Sequence, residues 1–209
     1  MPRFEIIAHR TARRFAAENS LEGVRWCAAQ GLEWVEMDVR QAPEGTLILA
    51  HDEPCGGAPN LSDALAEARG RIGVYLDCRA CAPAAVCAAV RDANVQARAM
   101  VFLDAVDAAA LETFARAAIP VAHRVRTTAE IEAVGRRPSP KVLEVLAESL
   151  TPELMDAARR HAFDVECVAL GGHDRAEVWK RAAELGVLAI MTDEPLMLAD
   201  ERRRWTARG

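Results

Sequence analysis

The sequence predicts an α/β protein built as one domain. Short strand-like runs alternate with Ala-rich amphipathic runs along all 209 residues, the pattern of a parallel sheet with crossover helices. Apolar residues make up 51% of the chain and charged residues 27%, an ordinary globular composition. The length fits a single domain over residues 1–209 and is sufficient for a sizeable core.

The number of strand-like runs favours a barrel over an open sheet. Nine runs are present: Glu5–His9, Trp34–Val39, Thr46–Ala50, Ile72–Cys78, Arg98–Asp104, Ile119–Val125, Lys141–Ala147, Asp164–Leu170 and Val187–Asp193. A (β/α)8 barrel needs eight parallel strands, so one run is surplus. An open doubly wound sheet is the alternative, but the glycine-rich nucleotide motif typical of it is not seen.

The third run accounts for the surplus. Only Arg40 to Gly45 separate it from the second run, and Pro43-Glu44-Gly45 is typical of a turn. Because a parallel crossover needs about a dozen residues or more, Thr46–Ala50 must return antiparallel. The sequence therefore predicts a (β/α)8 TIM barrel with an extra β-hairpin arm after strand 2.

Boundary signals support the helices between these strands. Thr127 with Glu130, and Asp174 with Glu177, have the spacing of a capping box. Thr151 before Pro152 is typical of a helix start. Glycines expected to end helices are Gly31, Gly70 and Gly186.

Composition excludes several functional classes. Lys and Arg total 26 against 31 Asp and Glu, a formal net charge of −5, and 5% of residues are aromatic, which argues against nucleic-acid binding. The apolar runs are too short for integral membrane association, and the N-terminal residues do not form a signal peptide. A cytoplasmic location is expected, with the six cysteines as thiols. A monomer and a small homo-oligomer both remain open.

The chemistry-bearing residues concentrate where a barrel has its active site, at the carboxyl ends of the strands. The motifs there are, in chain order, His9-Arg10, Glu36-Met37-Asp38, His51-Asp52, Leu76-Asp77-Cys78-Arg79 and Thr192-Asp193-Glu194-Pro195. Because side chains alternate along a strand, Glu36 and Asp38 share one face, as do Asp77 and Arg79. The hairpin is expected to return His51 to about the level of Asp38.

These side chains suit the hydrolysis of a phosphate ester. Carboxylates such as Glu36, Asp38 and Asp77 supply the hard oxygen ligands that favour Mg²⁺ or Ca²⁺. Histidine is the natural acid and base near neutral pH. Arginine binds phosphate through two parallel hydrogen bonds.

Together with Glu18-Asn19-Ser20, these motifs resemble, in order and spacing, the glycerophosphodiester phosphodiesterase family, which belongs to the phospholipase-C-like phosphodiesterase barrels. The resemblance implies metal-dependent hydrolysis of glycerophosphodiesters to glycerol 3-phosphate and an alcohol, through a cyclic phosphate. The roles that it implies are acid–base catalysis by His9 and His51, metal binding by Glu36, Asp38 and Asp77, and phosphate binding by Arg10, to which Arg79 is added as a candidate.

The chain also departs from the family pattern. Thr11 replaces a usual glycine, Asp77-Cys78-Arg79 replaces Glu-x-Lys, and Ala105-Val106 replaces Ser-Phe. A usual Trp-Thr-Val-Asn is absent from Asp164–Gly172, and only Glu53 to Asn60 remain of the insertion after His-Asp. The alternatives are therefore a lyase, a lysophospholipase D acting on a bulkier lipid, and a non-catalytic barrel that binds phosphate esters.

Other polar residues have less definite expectations. Glu18 and Asn19 either begin the first helix or lie beside the mouth of the site. Asp193 is expected to be structural, and Glu144 either reaches the site or forms an ion pair towards solvent. Cys78 and Cys81 have redox spacing but lack a thioredoxin-like context, so no redox role is expected.

Overall fold

Eight parallel strands close into a ring, and a ninth strand lies outside it. The structure is a computed structural model that describes residues 4–52, 57–103, 108–136 and 142–207. The strands are β1 Glu5–Ala8, β2 Trp34–Gln41, β3 Leu47–Leu49, β4 Gly73–Arg79, β5 Ala99–Leu103, β6 Val121–Arg124, β7 Val142–Leu146, β8 Asp164–Val168 and β9 Ala189–Thr192. The helices are α1 Leu21–Ala29, α2 Leu61–Ala68, α3 Pro83–Asp92, α4 Ala108–Arg116, α5 Thr128–Val134, α6 Pro152–Arg160, α7 Ala176–Leu185 and α8 Pro195–Ala207.

Pairing between the first and last strands closes the ring. The order is β1-β9-β8-β7-β6-β5-β4-β2, and β1 also pairs with β2, so every strand of the ring has two parallel neighbours. Ile6 pairs with Ile190 on one side of β1, and Ile7 with Trp34 on the other. The predicted TIM barrel is therefore confirmed.

The predicted hairpin arm is also confirmed. Strand β3 is antiparallel to β2, with Val39 opposite Leu49. The amide of Ala50 donates to the carbonyl of Asp38 at 3.0 Å. The arm therefore returns the chain to the level of Asp38, which places His51 at the mouth of the barrel.

Two apolar layers hold the barrel together. The larger layer lies between the strands and the helices and includes Val35, Leu76 and Trp179. The smaller layer lies inside the ring and includes Met100 and Phe102. No bilayer-spanning helix is found in the part of the chain that the structure describes.

Most of the predicted helix boundaries are confirmed. Thr127 and Glu130 form a capping box, and the Thr151 side chain accepts a hydrogen bond from the amide of Leu154. The glycines expected to end helices all have positive φ, which L side chains rarely adopt: Gly31, Gly70 and Gly186.

The predicted capping box of Asp174 and Glu177 is wrong. The N-cap of α7 is Arg175, which makes no side-chain cap bond. Asp174 instead accepts hydrogen bonds from the Trp179 indole at 2.9 Å and from the backbone amide of Asp193 at 2.7 Å. Its carboxylate is thus committed to tertiary contacts.

The five described cysteines of the chain are thiols, as predicted: Cys27, Cys78, Cys81, Cys87 and Cys167. The remaining cysteine, Cys55, lies outside the described residues.

Gly23 permits a close approach between α1 and the segment that follows β1. A Cβ at this position would lie 2.3 Å from the Thr11 carbonyl oxygen and 2.5 Å from its Oγ1. We expect Gly23→Ala to lower the free energy of unfolding by about 1–3 kcal/mol, because that segment must be displaced. Urea denaturation would measure this. Gly172→Ala is the matched control, since nothing lies within 4 Å of its Cβ position, and equal midpoints for the two variants would contradict the expectation.

Candidate active site

Three buried carboxylates meet at the carboxyl ends of β2 and β4. Glu36 and Asp38 on β2 are 2% and 1% exposed, and Asp77 on β4 is 9% exposed. Their ligand oxygens all lie within 4.8 Å of one another. Asp38 and Asp77 are register partners across the two strands, so the sheet itself fixes the spacing of this carboxylate triad.

The triad has the electrostatics of a cation site. Burial, together with the Asp38 carboxylate, raises the pKa of Glu36 well above its ordinary value. Burial also raises the pKa of Asp77, although Arg79 acts against it. Asp77 Oδ1 is buried and has no hydrogen-bond partner among the described residues. An oxygen-lined site of this kind fits a hard divalent cation.

Asn19 holds one of the three carboxylates in place. Its Nδ2 donates to Asp38 Oδ2 at 2.8 Å, and its Oδ1 accepts from the Asp38 amide at 2.9 Å. Asn19 is 4% exposed with a φ of 52°, a conformation that asparagine tolerates better than most residues. Of the two expectations for Asn19, the structure selects the position at the site. Ser20 is the N-cap of α1.

Both candidate phosphate-binding arginines contact the triad. Arg10 places its Nε 3.2 Å from Asp38 Oδ2, and its backbone amide donates to Glu36 Oε2 at 2.6 Å. Arg79 places its Nη2 2.8 Å from Asp77 Oδ2 and 3.6 Å from Asp38 Oδ1. The cationic groups expected to bind phosphate thus lie directly beside the carboxylates.

The structure places His9 against a buried carboxylate. Its Nδ1 lies 2.8 Å from Asp193 Oδ1. Arg13 holds the same carboxylate, with Nε 2.9 Å from Oδ1 and Nη2 2.8 Å from Oδ2. Burial would raise the pKa of Asp193, but the hydrogen bonds from His9 and Arg13 outweigh it and hold that pKa below its ordinary value.

Asp193 therefore does more than end a strand, and the expectation of a purely structural residue was incomplete. Its motif was visible in the sequence, but its partner was not. His9 becomes its neighbour because β9 pairs with β1 when the ring closes.

His51 occupies a more open position. Its Nδ1 lies 2.8 Å from Asp52 Oδ1, and the Asp52 side chain is 89% exposed. Its Nε2 lies 3.3 Å from Arg79 Nη1. The two ring nitrogens of His51 thus face an acceptor at Asp52 and a donor at Arg79.

A polar layer lies deeper in the barrel. The Tyr75 hydroxyl bonds both to Glu166 and to Glu144 Oε2, the latter at 3.0 Å. Arg124 Nε also donates to Glu144 at 2.5 Å. Glu144 is 2% exposed and lines the same cavity as Glu36, so of the two expectations for it the structure selects the position at the site, where it pairs with Arg124.

The two carboxyl groups of this layer differ in their electrostatics. Burial and the charge of Glu144 raise the pKa of Glu166 well above its ordinary value. Burial also raises the pKa of Glu144, but Arg124 acts against this shift.

A cavity of about 200 Å³ lies between several of these side chains. Its lining includes His9, Glu36, Asp77, Arg79 and Arg124. Of the departures from the family pattern, Ala105-Val106 and residues 53–56 lie outside the described residues.

Comparison with known proteins finds solved structures that share this fold. No family model matches the sequence, and no curated protein matches it. Among solved structures, a glycerophosphodiester phosphodiesterase from Agrobacterium tumefaciens is 24% identical, with 94% of this chain and 100% of that chain covered and a TM-score of 0.82. One from Thermotoga maritima is 15% identical, with 96% and 99% covered and a TM-score of 0.75.

A third structure contains a bound product. It is a phosphodiesterase from Oleispira antarctica in complex with sn-glycerol-3-phosphate, 16% identical, with 95% of this chain and 96% of that chain covered and a TM-score of 0.75. The chain therefore has the fold of solved glycerophosphodiester phosphodiesterases over nearly its whole length.

Proposed function

We propose that this protein is a metal-dependent phosphoric diester hydrolase that converts glycerophosphodiesters to glycerol 3-phosphate and an alcohol. One observation carries the proposal: His9 and His51 stand at the same barrel mouth as a buried carboxylate triad that has an unpartnered oxygen on Asp77. The structural likeness to glycerophosphodiester phosphodiesterases supports the same reaction class.

Glu36, Asp38 and Asp77 would hold the divalent cation, and their oxygen ligands suit Mg²⁺ and Ca²⁺. When bound, the ion would stabilise the negative charge that develops on the phosphoryl oxygens. Arg10 and Arg79 would bind the phosphate from the cavity wall, because both line the cavity.

The two histidines supply the proton transfers. One takes the proton from the glycerol hydroxyl of the substrate as that oxygen attacks phosphorus, and the other gives a proton to the departing alcohol oxygen. The products of this step are a cyclic phosphate and an alcohol. The histidines then exchange roles as water adds to phosphorus and opens the ring, which restores both protonation states and yields glycerol 3-phosphate.

The test is a turnover assay with glycerophosphocholine and glycerophosphoethanolamine, with Mg²⁺, Ca²⁺ or a chelator, and with glycerol 3-phosphate as the measured product. We expect release only with an ion, and a loss of about 10²-fold or more in His51→Ala and Glu36→Ala. His161→Ala is the matched control, because His161 bonds Glu132, away from the site.

Adding a lysophospholipid to the substrates and analysing all phosphate products discriminates the alternatives. A lyase would stop at the cyclic phosphate, and a lysophospholipase D would release its alcohol from a lysophospholipid only. Absence of turnover with every ion and substrate, combined with retained glycerol 3-phosphate binding, would contradict the hydrolase and indicate a phosphate-ester-binding barrel.

A further inference from the structure

We propose that Arg79 couples the metal and phosphate sites. Its guanidinium neutralises Asp77 and Asp38 when no ion is bound, and it becomes a phosphate ligand once a divalent ion takes over the carboxylates. The inference rests on the proposed function in one respect, that an ion and a phosphate both bind at this mouth.

The contacts of Arg79 support the first half of this exchange. Its Nη2 lies 2.8 Å from Asp77 Oδ2 and 3.6 Å from Asp38 Oδ1, and its Nε lies 3.2 Å from Asp77 Oδ2. One cationic group thus serves two of the three carboxylates that a metal ion would use. Arg79 and a metal ion therefore compete for the same oxygens.

The exposure of the side chains indicates that Arg79, and not the carboxylates, can move. The Asp38 and Asp77 side chains are 2% and 12% exposed and are fixed on paired strands, whereas the Arg79 side chain is 36% exposed. Arg79 is the last residue of β4 and also lines a second cavity of about 530 Å³ next to the site. The guanidinium can therefore leave the carboxylates without disturbing the barrel.

Arg10 does not share this freedom. Its side chain is 16% exposed, less than half the 36% of Arg79, and its guanidinium lies between Asp38, at 3.2 Å from Nε, and Glu18, at 3.4 Å from Nη1. Arg10 therefore serves as a fixed cation, and Arg79 as the exchangeable one.

Charge balance then links the two ligands. Three carboxylates face two guanidiniums, so a divalent ion converts a formal excess of one negative charge into an excess of one positive charge. This excess repels Arg79 from the carboxylates, and an anionic phosphate at the guanidinium removes the excess. Ion and phosphate should therefore each raise the affinity for the other, as thermodynamic linkage requires.

Calorimetry on the full chain tests this coupling. Mg²⁺ and Ca²⁺ would be titrated into the wild type, Arg79→Met and Arg79→Lys, each with and without glycerol 3-phosphate. We expect glycerol 3-phosphate to raise the ion affinity of the wild type about tenfold. In Arg79→Met the affinity for the ion alone should rise severalfold, and the coupling should fall severalfold to the part that direct attraction between ion and phosphate supplies.

Two further variants test whether the effect of Arg79→Met comes only from the loss of a charge or from a failure to fold. Arg14→Met removes an equal charge from an arginine that pairs with Glu194 and does not contact the triad, so its affinities should match the wild type. Arg79→Lys keeps the charge and should retain part of the coupling, and its urea midpoint shows whether the site is intact if Arg79→Met fails to fold.

The outcomes separate this inference from the proposed function. An Arg79→Met protein with unchanged ion affinity and unchanged coupling would overturn the inference, even if the wild type hydrolyses its substrate. Coupling that falls severalfold in Arg79→Met, together with a higher affinity for the ion alone, would sustain the inference, even if the turnover assay shows no hydrolysis. A wild type that binds no ion would overturn the inference outright.

Discussion

Asp193→Asn is expected to lower kcat about 10²-fold or more and to leave KM near the wild-type value. The wild-type carboxylate accepts three hydrogen bonds, one from His9 and two from Arg13. Asparagine has only one side-chain oxygen, and its NH2 group would face either His9 Nδ1 or an Arg13 donor. In either orientation the substitution removes the negative charge beside His9 and breaks part of the hydrogen bonding that positions it, without touching the phosphate contacts.

Asp52→Asn is the matched control for this prediction. Asp52 bonds His51 in the same way, at 2.8 Å, but its side chain is 89% exposed, so water can replace the contact. We expect less than about a fivefold loss of kcat. Steady-state kinetics on the two variants would contradict the orienting role of Asp193 if the losses are equal, or if the effect of Asp193→Asn appears in KM alone.

Glu36→Gln is expected to abolish the response to divalent ions and to stabilise the chelated protein at pH 8 by about 1–3 kcal/mol. Glutamine can still accept the hydrogen bond that the Arg10 amide donates to Glu36. It removes a carboxylate whose pKa is raised by burial and by Asp38. We therefore expect the variant to lose ion binding and to be more stable than the wild type in chelator.

The pH dependence has a definite sign. Because the pKa of Glu36 is higher in the folded chain than in the unfolded chain, the folded protein retains a proton that the unfolded chain releases. Wild-type stability therefore falls as pH rises from the unfolded pKa, about 4.3 for a glutamate, towards the folded one. The advantage of Glu36→Gln should be small near pH 4 and larger at pH 8.

Urea denaturation in chelator and in excess Mg²⁺ would check both statements. Saturating ion should stabilise the wild type by mass action and leave Glu36→Gln unchanged, which reverses their order. Glu44→Gln, at an exposed turn position, should follow the wild type throughout. A Glu36→Gln protein that is less stable than the wild type in chelator would contradict the prediction.

Short-range rules were sufficient to predict the barrel and its carboxylate triad. The length of the Arg40–Gly45 connection required an antiparallel arm, and strand alternation placed Glu36 and Asp38 on one face. Both features depend on the backbone geometry of neighbouring residues. The sequence rules therefore held without knowledge of the final packing.

The features that the sequence did not predict depend on contacts between distant parts of the chain. Asp193 meets His9 only across the β1–β9 seam, and Glu144 meets Tyr75 only across the interior of the ring. Asp174 had the spacing of a cap, but its carboxylate is used by Trp179 and by the backbone of residue 193. Spacing rules cannot show that a side chain is already engaged elsewhere.

The seam between β1 and β9 has a consequence during protein synthesis. His9 and Asp193 are 184 residues apart in the chain, and ribosomes add about 5–20 residues per second. The triad residues are therefore translated well before the last strand. Until β9 is synthesised, the edge of β1 that pairs with it stays unpaired. A nascent chain would carry the carboxylate triad before Asp193 can contact His9, so the candidate site would be complete only when the barrel closes.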